Sequence, residues 1–204
     1  MQNHPPTPTQ YLAILVLVLC LGSCSAPGGD TTDSNEPVNH ASAEDRVISE
    51  LLSDLSVVEE KLLALGDAFT EEQYDWRPAD GVRSAAEVFM HVAAFNFAFP
   101  LLAGHKAPAS TGLTMDNLPT AAPAYENSLK SKDRIRPELR ASFENLRTAI
   151  ESTSASDLER QVKVFDDTIT LRALWIGQVS HLHEHLGQLI AYSRMNGVVP
   201  PWSQ

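Results

Sequence analysis

Three histidines have the residue type and the spacing of a metal site. His181 and His185 stand four residues apart in a segment with helical periodicity, so their imidazoles lie on one helical face and can converge on a single cation. His91 stands beside Val88 and Val92, on the inward side of another predicted helix, where a third ring nitrogen could complete the set. The pair by itself leaves an alternative open, because two hydrogen-bonded core histidines would give the same spacing.

The segment that holds this pair has a polar stripe beside an apolar one. Burying polar groups without partners costs about 1–3 kcal/mol each, so the polar stripe must meet partners or a ligand. His183 points about 200° away from His181 at the helical angle per residue and is excluded from the cluster. Glu184 is also expected to be solvated. The polar stripe consists of Gln178, His181, His185 and Gln188, between Leu174 and Tyr192.

Two residues are placed to orient these imidazoles. Glu87 stands four residues before His91, and Gln188 stands three residues after His185, so each is within helical reach of a ring nitrogen. Each also has a structural alternative. Glu87 completes a capping box with Ser84, and the Gln188 amide could bond to a neighbouring helix.

Several other chemistries are excluded. The two cysteines, Cys20 and Cys24, both lie in an amino-terminal apolar segment, so the body of the protein has no disulfide framework or thiolate metal site. Any metal must therefore be held by histidine and oxygen. The nucleophile elbow and the glycine-rich phosphate-binding motifs do not occur in the sequence. A net charge of -11 argues against a nucleic-acid partner.

The body of the chain reads as four long helices. Apolar residues recur at intervals of three and four, and N-capping residues precede the predicted segments. Pro137 would allow the third helix to begin at Arg136 rather than at Lys132. The predicted helices cover about 43–69, 85–100 or 85–104, 132–154 and 170–196.

The connections between these helices differ in length. Thr70 could cap one short helical turn in the first connection. The second, residues 105–130, is far longer than the two to eight residues that usually join antiparallel helices, so we expect an irregular crossover along the bundle. Residues 162–165 and 168–171 flank two aspartates and could form a small hairpin before the fourth helix.

The amino terminus has the features of an export signal. The apolar stretch at 11–21 is too short for the ~20 residues of a membrane-spanning helix but suits a secretory signal. It ends in Leu21-Gly22-Ser23-Cys24, which resembles a bacterial lipobox and implies lipidation of Cys24. The alternatives are an unlipidated secretory signal and an incorrectly assigned start codon.

These features predict three parts of the chain. Residues 1–23 would be the signal peptide, and 24–41 the lipidated cysteine with a flexible polar tether. Residues 42–204 would form the helical domain. We therefore expect an exported protein whose lipid anchor holds it at the bacterial cell envelope, with no other membrane contact.

Four short motifs resemble those of the DinB-like superfamily. They are the Trp76-Arg77-Pro78 tripeptide, the segment from Glu87 to Ala93, the segment from His181 to Gln188, and the carboxyl-terminal Gly197-Val198-Val199-Pro200-Pro201. The resemblance implies an all-α four-helix bundle of up-down-down-up topology. It also implies a divalent metal, most often zinc or nickel, held by His91, His181 and His185.

A metal on three imidazoles with an open position is typical of catalytic rather than structural sites. The resemblance therefore implies a metal-dependent enzyme of the hydrolase or thiol-transferase type that acts on a small molecule. The alternative is a tethered, non-catalytic binding module that keeps the bundle. The resemblance is also compatible with a homodimer, because relatives often dimerise.

Overall fold

The computed structural model describes residues 43–164 and 166–204. The predicted signal peptide, Cys24 and the tether lie outside the described residues, as does Phe165. The described part is mainly helical, with one two-stranded hairpin. Its elements are α1 (Ala43–Ala68), α2 (Glu71–Tyr74), α3 (Ala85–Leu102), α4 (Leu118–Glu126), α5 (Lys132–Glu151), β1 (Gln161–Val164), β2 (Asp167–Thr170) and α6 (Leu171–Met195), with single 3-10 turns at Ala109–Thr111, Ala155–Asp157 and Pro201–Ser203.

The helices α1, α3, α5 and α6 form the predicted up-down-down-up bundle, which contacts between them establish. Residue numbers rise together along the α1–α6 interface, so these two helices are parallel. Along the α1–α5 and α3–α6 interfaces, residue numbers rise on one helix as they fall on the other, so the helices of each of those pairs are antiparallel. Asp54 of α1 contacts His183 of α6, and Gln73 of α2, which follows α1, contacts Asn196 just after α6. The antiparallel pairs are joined by Glu59–Arg147 and Asp67–Arg136 for α1–α5, and by His91–His181 and Asn96–Gln178 for α3–α6.

Helix α3 is the most enclosed element of the bundle. It packs against α4, α5 and α6, so 14 of its 18 residues are buried and it has no continuous polar face. By length and composition, α3 is the one helix among the described residues that could cross a membrane. Its burial inside the bundle accounts for this apolar composition. His91 and Asn96 are the polar residues buried within it.

Side-chain caps begin three of the helices, and the sequence predicts two of them, Thr70 and Ser84. Thr70 forms a capping box with Gln73 at α2, and Ser84 forms one with Glu87 at α3. Thr170 is the last residue of β2, and its side chain also caps α6 by accepting a hydrogen bond from the backbone N–H of Ala173 at 3.1 Å. The predicted hairpin is confirmed and leads directly into α6.

Helix α5 begins at Lys132, so the alternative start at Arg136 is wrong. The Ser131 side chain does not cap the helix. Instead, the Glu71 carboxylate of α2 accepts a hydrogen bond from the backbone N–H of Lys132, at 3.1 and 3.2 Å from its two oxygens. An acidic group at a helix amino terminus also interacts favourably with the helix dipole, which explains the earlier start.

The crossover between α3 and α5 contains a helix that the sequence analysis did not predict. Helix α4 has Pro119 in its first turn, where the missing N–H costs nothing. Leu118 and Ala122 pack against a small apolar cluster that includes Leu101 and Leu113. This packing stabilises a helix in the crossover, and α4 thereby becomes a wall beside the histidines.

Candidate metal centre

The three predicted histidines meet in one place. Nε2 of His181 lies 3.2 Å from Nε2 of His91 and 3.0 Å from Nε2 of His185. Two nitrogens bound tetrahedrally to one zinc ion, each at about 2.0–2.1 Å, would lie about 3.3 Å apart. The spacing of these donor atoms therefore fits a divalent transition metal, and the group could hold one such ion.

The arrangement follows from two packed helices. His181 and His185 are one turn apart on α6, and His91 faces them from α3. His91 is buried, whereas the other two are partly exposed. His183 lies outside the cluster, as predicted, and its Nε2 is 2.9 Å from an Asp54 carboxylate oxygen.

Burial keeps two of these imidazoles neutral. Burial is the largest cause, and unfavourable electrostatic interactions with His185, His91 and Arg83 act in the same direction, so that together they lower the pKa of His181 to about 3. Burial also lowers the pKa of His185, although the hydrogen bond with Gln188 partly opposes the shift. Neutral rings leave lone pairs available for a metal at neutral pH.

The outer nitrogen of His91 is held by Glu126, not by Glu87. Oε2 of Glu126, at the end of α4, lies 2.8 Å from Nδ1 of His91. The same carboxylate pairs with the guanidinium of Arg83. If Nδ1 of His91 carries the ring proton, it donates to Glu126, and Nε2 has a free lone pair directed at the cluster.

Glu87 lies in a different set of contacts, which corrects its predicted role as the orienting partner of His91. One of its carboxylate oxygens accepts the backbone N–H of Ser84 at 2.9 Å. The other accepts from Arg77 at 3.1 Å and from Lys130 at 3.0 Å. Glu87 therefore acts in the capping box, the structural alternative for this residue, and His91 is contacted by Glu126 instead.

Gln188 contacts the histidine that the sequence spacing indicated. Its Oε1 lies 2.9 Å from Nδ1 of His185. Its Nε2 donates to the Tyr192 hydroxyl at 2.8 Å, and that hydroxyl donates to the Arg83 carbonyl at 3.1 Å. The chain of hydrogen bonds fixes the Gln188 amide with its oxygen toward His185.

The polar stripe on α6 finds partners inside the bundle. The buried Gln178 donates from Nε2 to Oδ1 of Asn96 at 2.8 Å, and Asn96 donates to the Ser142 hydroxyl at 3.2 Å. Among the described residues, Nδ1 of His181 and Oε1 of Gln178 are buried without a hydrogen-bond partner. Gln178, Asn96 and Ser142 thus form a buried polar cluster, and Gln178 lies one helical turn before His181.

A cleft of about 300 Å³ opens beside the cluster, between α3 and α4. Phe95 lines this cleft together with His91, and its ring centroid lies 4.5 Å from that of His91 and 4.7 Å from that of His181. A larger hollow of about 540 Å³, beside Tyr125 and Arg134, includes none of the three histidines in its wall. Of these two hollows, the smaller cleft is the one that reaches the cluster, at His91. Its walls are formed by Arg83, His91, Phe95, Ala98, Phe99, Leu102, Leu118, Pro119, Ala122, Pro123 and Glu126.

The family model of the DinB superfamily matches residues 54–189, which include all three histidines and most of the bundle. The chain belongs to the DinB superfamily. This confirms the family resemblance that the sequence motifs indicated.

Solved structures of other DinB-like proteins share the fold of this superfamily member. A DinB-like protein from Bacillus subtilis is 21% identical, with a TM-score of 0.54 over 78% of this chain and 98% of its own. A DinB-like protein from Bacillus cereus is 19% identical, with a TM-score of 0.58 over 76% of this chain and 95% of its own. No curated protein matches the sequence significantly.

Sequence reasoning missed one residue in this DinB-superfamily site. Glu126 is 35 residues from His91 along the chain and lies in the crossover, for which no helix was predicted. A carboxylate in a segment without a predicted element gives no spacing signal that could connect it to a histidine. Only the fold of α4 brings the two side chains together.

Proposed function

We propose that His91, His181 and His185 hold one divalent metal ion, zinc or nickel, through their Nε2 atoms. The observation that carries the proposal is the approach of these three nitrogens, at 3.0 and 3.2 Å from one another along the cluster. When bound, such an ion would supply Lewis acidity to these three residues' site.

The protein would use this site as a metal-dependent enzyme of the hydrolase or thiol-transferase type. Three features of the chain support catalysis. The cleft gives a small molecule access to His91. Glu126 and Gln188 hold the outer nitrogens of two imidazoles, and the Phe95 ring packs against His91. A binding module that keeps the bundle but catalyses nothing is the alternative that the experiment must separate.

Calorimetric titration of chelator-treated protein with Zn²⁺ and Ni²⁺ tests the metal. We expect one ion per chain, loss of binding in His185→Ala, and normal binding in His183→Ala, which removes a histidine outside the cluster. Turnover of a panel of esters, or of thiols with an electrophile, tests the enzyme. Metal-loaded protein without any turnover would favour the binding module. Failure to bind either ion would contradict both the metal site and the metal-dependent enzyme.

We also propose that the protein is exported and anchored by a lipid on Cys24. The support is the sequence Leu21-Gly22-Ser23-Cys24 after an apolar segment. Metabolic labelling with palmitate should mark the wild-type protein and leave Cys24→Ala unlabelled. Labelling that persists in Cys24→Ala, or does not occur at all, would contradict the anchor. Homodimerisation stays a prediction, which the molecular mass from size-exclusion chromatography can test.

A further inference from the structure

The cleft beside the histidines is lined by one face from each of two helices. On both helices the lining positions recur at helical spacing, so each presents a continuous strip to the cleft. The strip of α3 consists of His91, Phe95, Ala98, Phe99 and Leu102, and that of α4 of Leu118, Pro119, Ala122, Pro123 and Glu126.

The polar groups of the cleft lie together at one end. Glu126 pairs with both His91 and Arg83, so the three polar residues of the lining form one connected group. Leu118, at the opposite end of α4, packs in the cluster that contains Leu101. The cleft therefore runs from the histidines toward the end of α3. Leu118 and Glu126 are eight positions apart, which corresponds to about 12 Å along the helix axis.

The charge of this lining favours an uncharged ligand. The guanidinium of Arg83 and the carboxylate of Glu126 neutralise one another, and no other Lys, Arg, Asp or Glu lines the cleft. The remaining walls are apolar and cannot replace the hydrogen bonds that water makes with hydroxyl or charged groups. A sugar would lose those bonds here without compensation.

We propose that the cleft binds an uncharged small molecule with an apolar, elongated body, whose polar or reactive end faces the histidines. At about 300 Å³, with about 30 Å³ for each water-sized atom, the cleft accommodates roughly ten non-hydrogen atoms. A medium-length alkyl chain has this size and shape. The proposal names the substrate class of the enzyme proposed above and in that respect rests on it.

A series of linear 1-alkanols, from 1-butanol to 1-decanol, tests the cleft directly. Calorimetric titrations use the full chain, once after chelator treatment and once with Zn²⁺ added. The affinity should rise about fourfold for each methylene until the chain fills the cleft, and D-glucose should not bind. Affinity that does not change with chain length, or binding of glucose as tight as that of 1-octanol, would overturn the proposal.

Two substitutions locate the binding. Ala122→Phe places a ring into the cleft from α4 and should weaken 1-octanol binding at least tenfold. Ala124→Phe, at an exposed position of the same helix, is the matched control and should bind as wild type. Ala98→Leu fills the cleft from α3 and should also weaken binding, which keeps the test valid if Ala122→Phe disturbs α4. Wild-type affinity in both cleft variants would overturn the location.

The proposed metal site and the proposed cleft ligand can be contradicted independently of one another. Zn²⁺ binding without alkanol binding overturns the cleft proposal and leaves the metal proposal standing. Alkanol binding to protein that takes up no Zn²⁺ supports the cleft as an apolar ligand site and overturns the proposed metal function.

Discussion

Glu126 and His91 are joined by a contact of 2.8 Å between a carboxylate oxygen and Nδ1, although one residue lies in the crossover and the other in the core of the bundle. Burial would raise the pKa of Glu126, but the hydrogen bonds from His91 and Arg83 outweigh it, and the pKa is lowered. The carboxylate is therefore ionised at neutral pH and can orient the imidazole.

Removing this carboxylate should weaken metal binding. In Glu126→Ala the outer nitrogen of His91 loses its partner, and we expect Zn²⁺ affinity to fall about 10–100-fold. Glu126→Gln keeps an acceptor and should lose less. Competition with a chromophoric chelator measures both variants against Glu144→Gln, which alters an exposed carboxylate of α5. Equal affinity in Glu126→Ala and wild type would show that the contact does not orient a ligand.

Gln188 should act on His185 in the same way. Gln188→Leu removes the acceptor 2.9 Å from Nδ1, so Zn²⁺ affinity should again fall, by about tenfold or more. Gln188→Glu restores an acceptor and should recover most of the affinity. The chelator competition distinguishes the two variants, and an identical loss in both would indicate disturbed packing rather than a lost hydrogen bond.

Glu87 should make the stability of the bundle depend on pH. Burial raises its pKa, but hydrogen bonds from Ser84, Lys130 and Arg77 together lower it from 4.5 to about 2. The folded protein therefore gains stability from this carboxylate above about pH 4.5 and loses that gain as the pH falls toward 2.

The corresponding variant is Glu87→Gln. It should lower the free energy of unfolding by about 0.5–2 kcal/mol at neutral pH, and the difference from wild type should shrink as the pH falls through this window. Urea unfolding at a series of pH values measures the difference, with Glu144→Gln as the control. A difference that stays constant down to pH 2 would contradict the role of the charge.

The buried amide of Asn96 should stabilise the bundle through its two partners. Asn96→Leu leaves Gln178 and Ser142 without their bonds to this residue, at a cost of about 1–3 kcal/mol for each group left unpaired. Combining it with Gln178→Leu should cost less than the sum of the two single changes, because the second change removes an unpaired group. Chemical unfolding of the four proteins in the cycle gives the coupling, and strict additivity would contradict it.

Local signals explain why most of the fold could be predicted. Thr70, Ser84 and Thr170 are caps whose partners lie within three residues, so the sequence shows where α2, α3 and α6 begin. The start of α5 depends on Glu71, which lies 61 residues before the N–H that it accepts. Helix α4 depends on packing against α3. Neither of these long-range contacts leaves a local pattern.

The residues of the candidate site also fall into those that local spacing predicts and those that it does not. His181 and His185 share a helical face and His91 lies on an inward face, so periodicity was sufficient to group them. Glu87 was in reach of His91 by spacing alone, but its capping box and its two cationic partners use its oxygens. Glu126 has no such local relation to any histidine, so no sequence pattern predicts its contact with His91.

Helix α4 has a consequence for how this protein can diverge. A single nine-residue element supplies both a wall of the cleft and the carboxylate behind His91. Substitutions in α4 that alter the cleft wall therefore also move the Glu126 carboxylate that contacts His91. Grafting the whole element from a relative would transfer ligand preference and metal support together, whereas exchanging half of it would separate two properties that this architecture has tied to one segment.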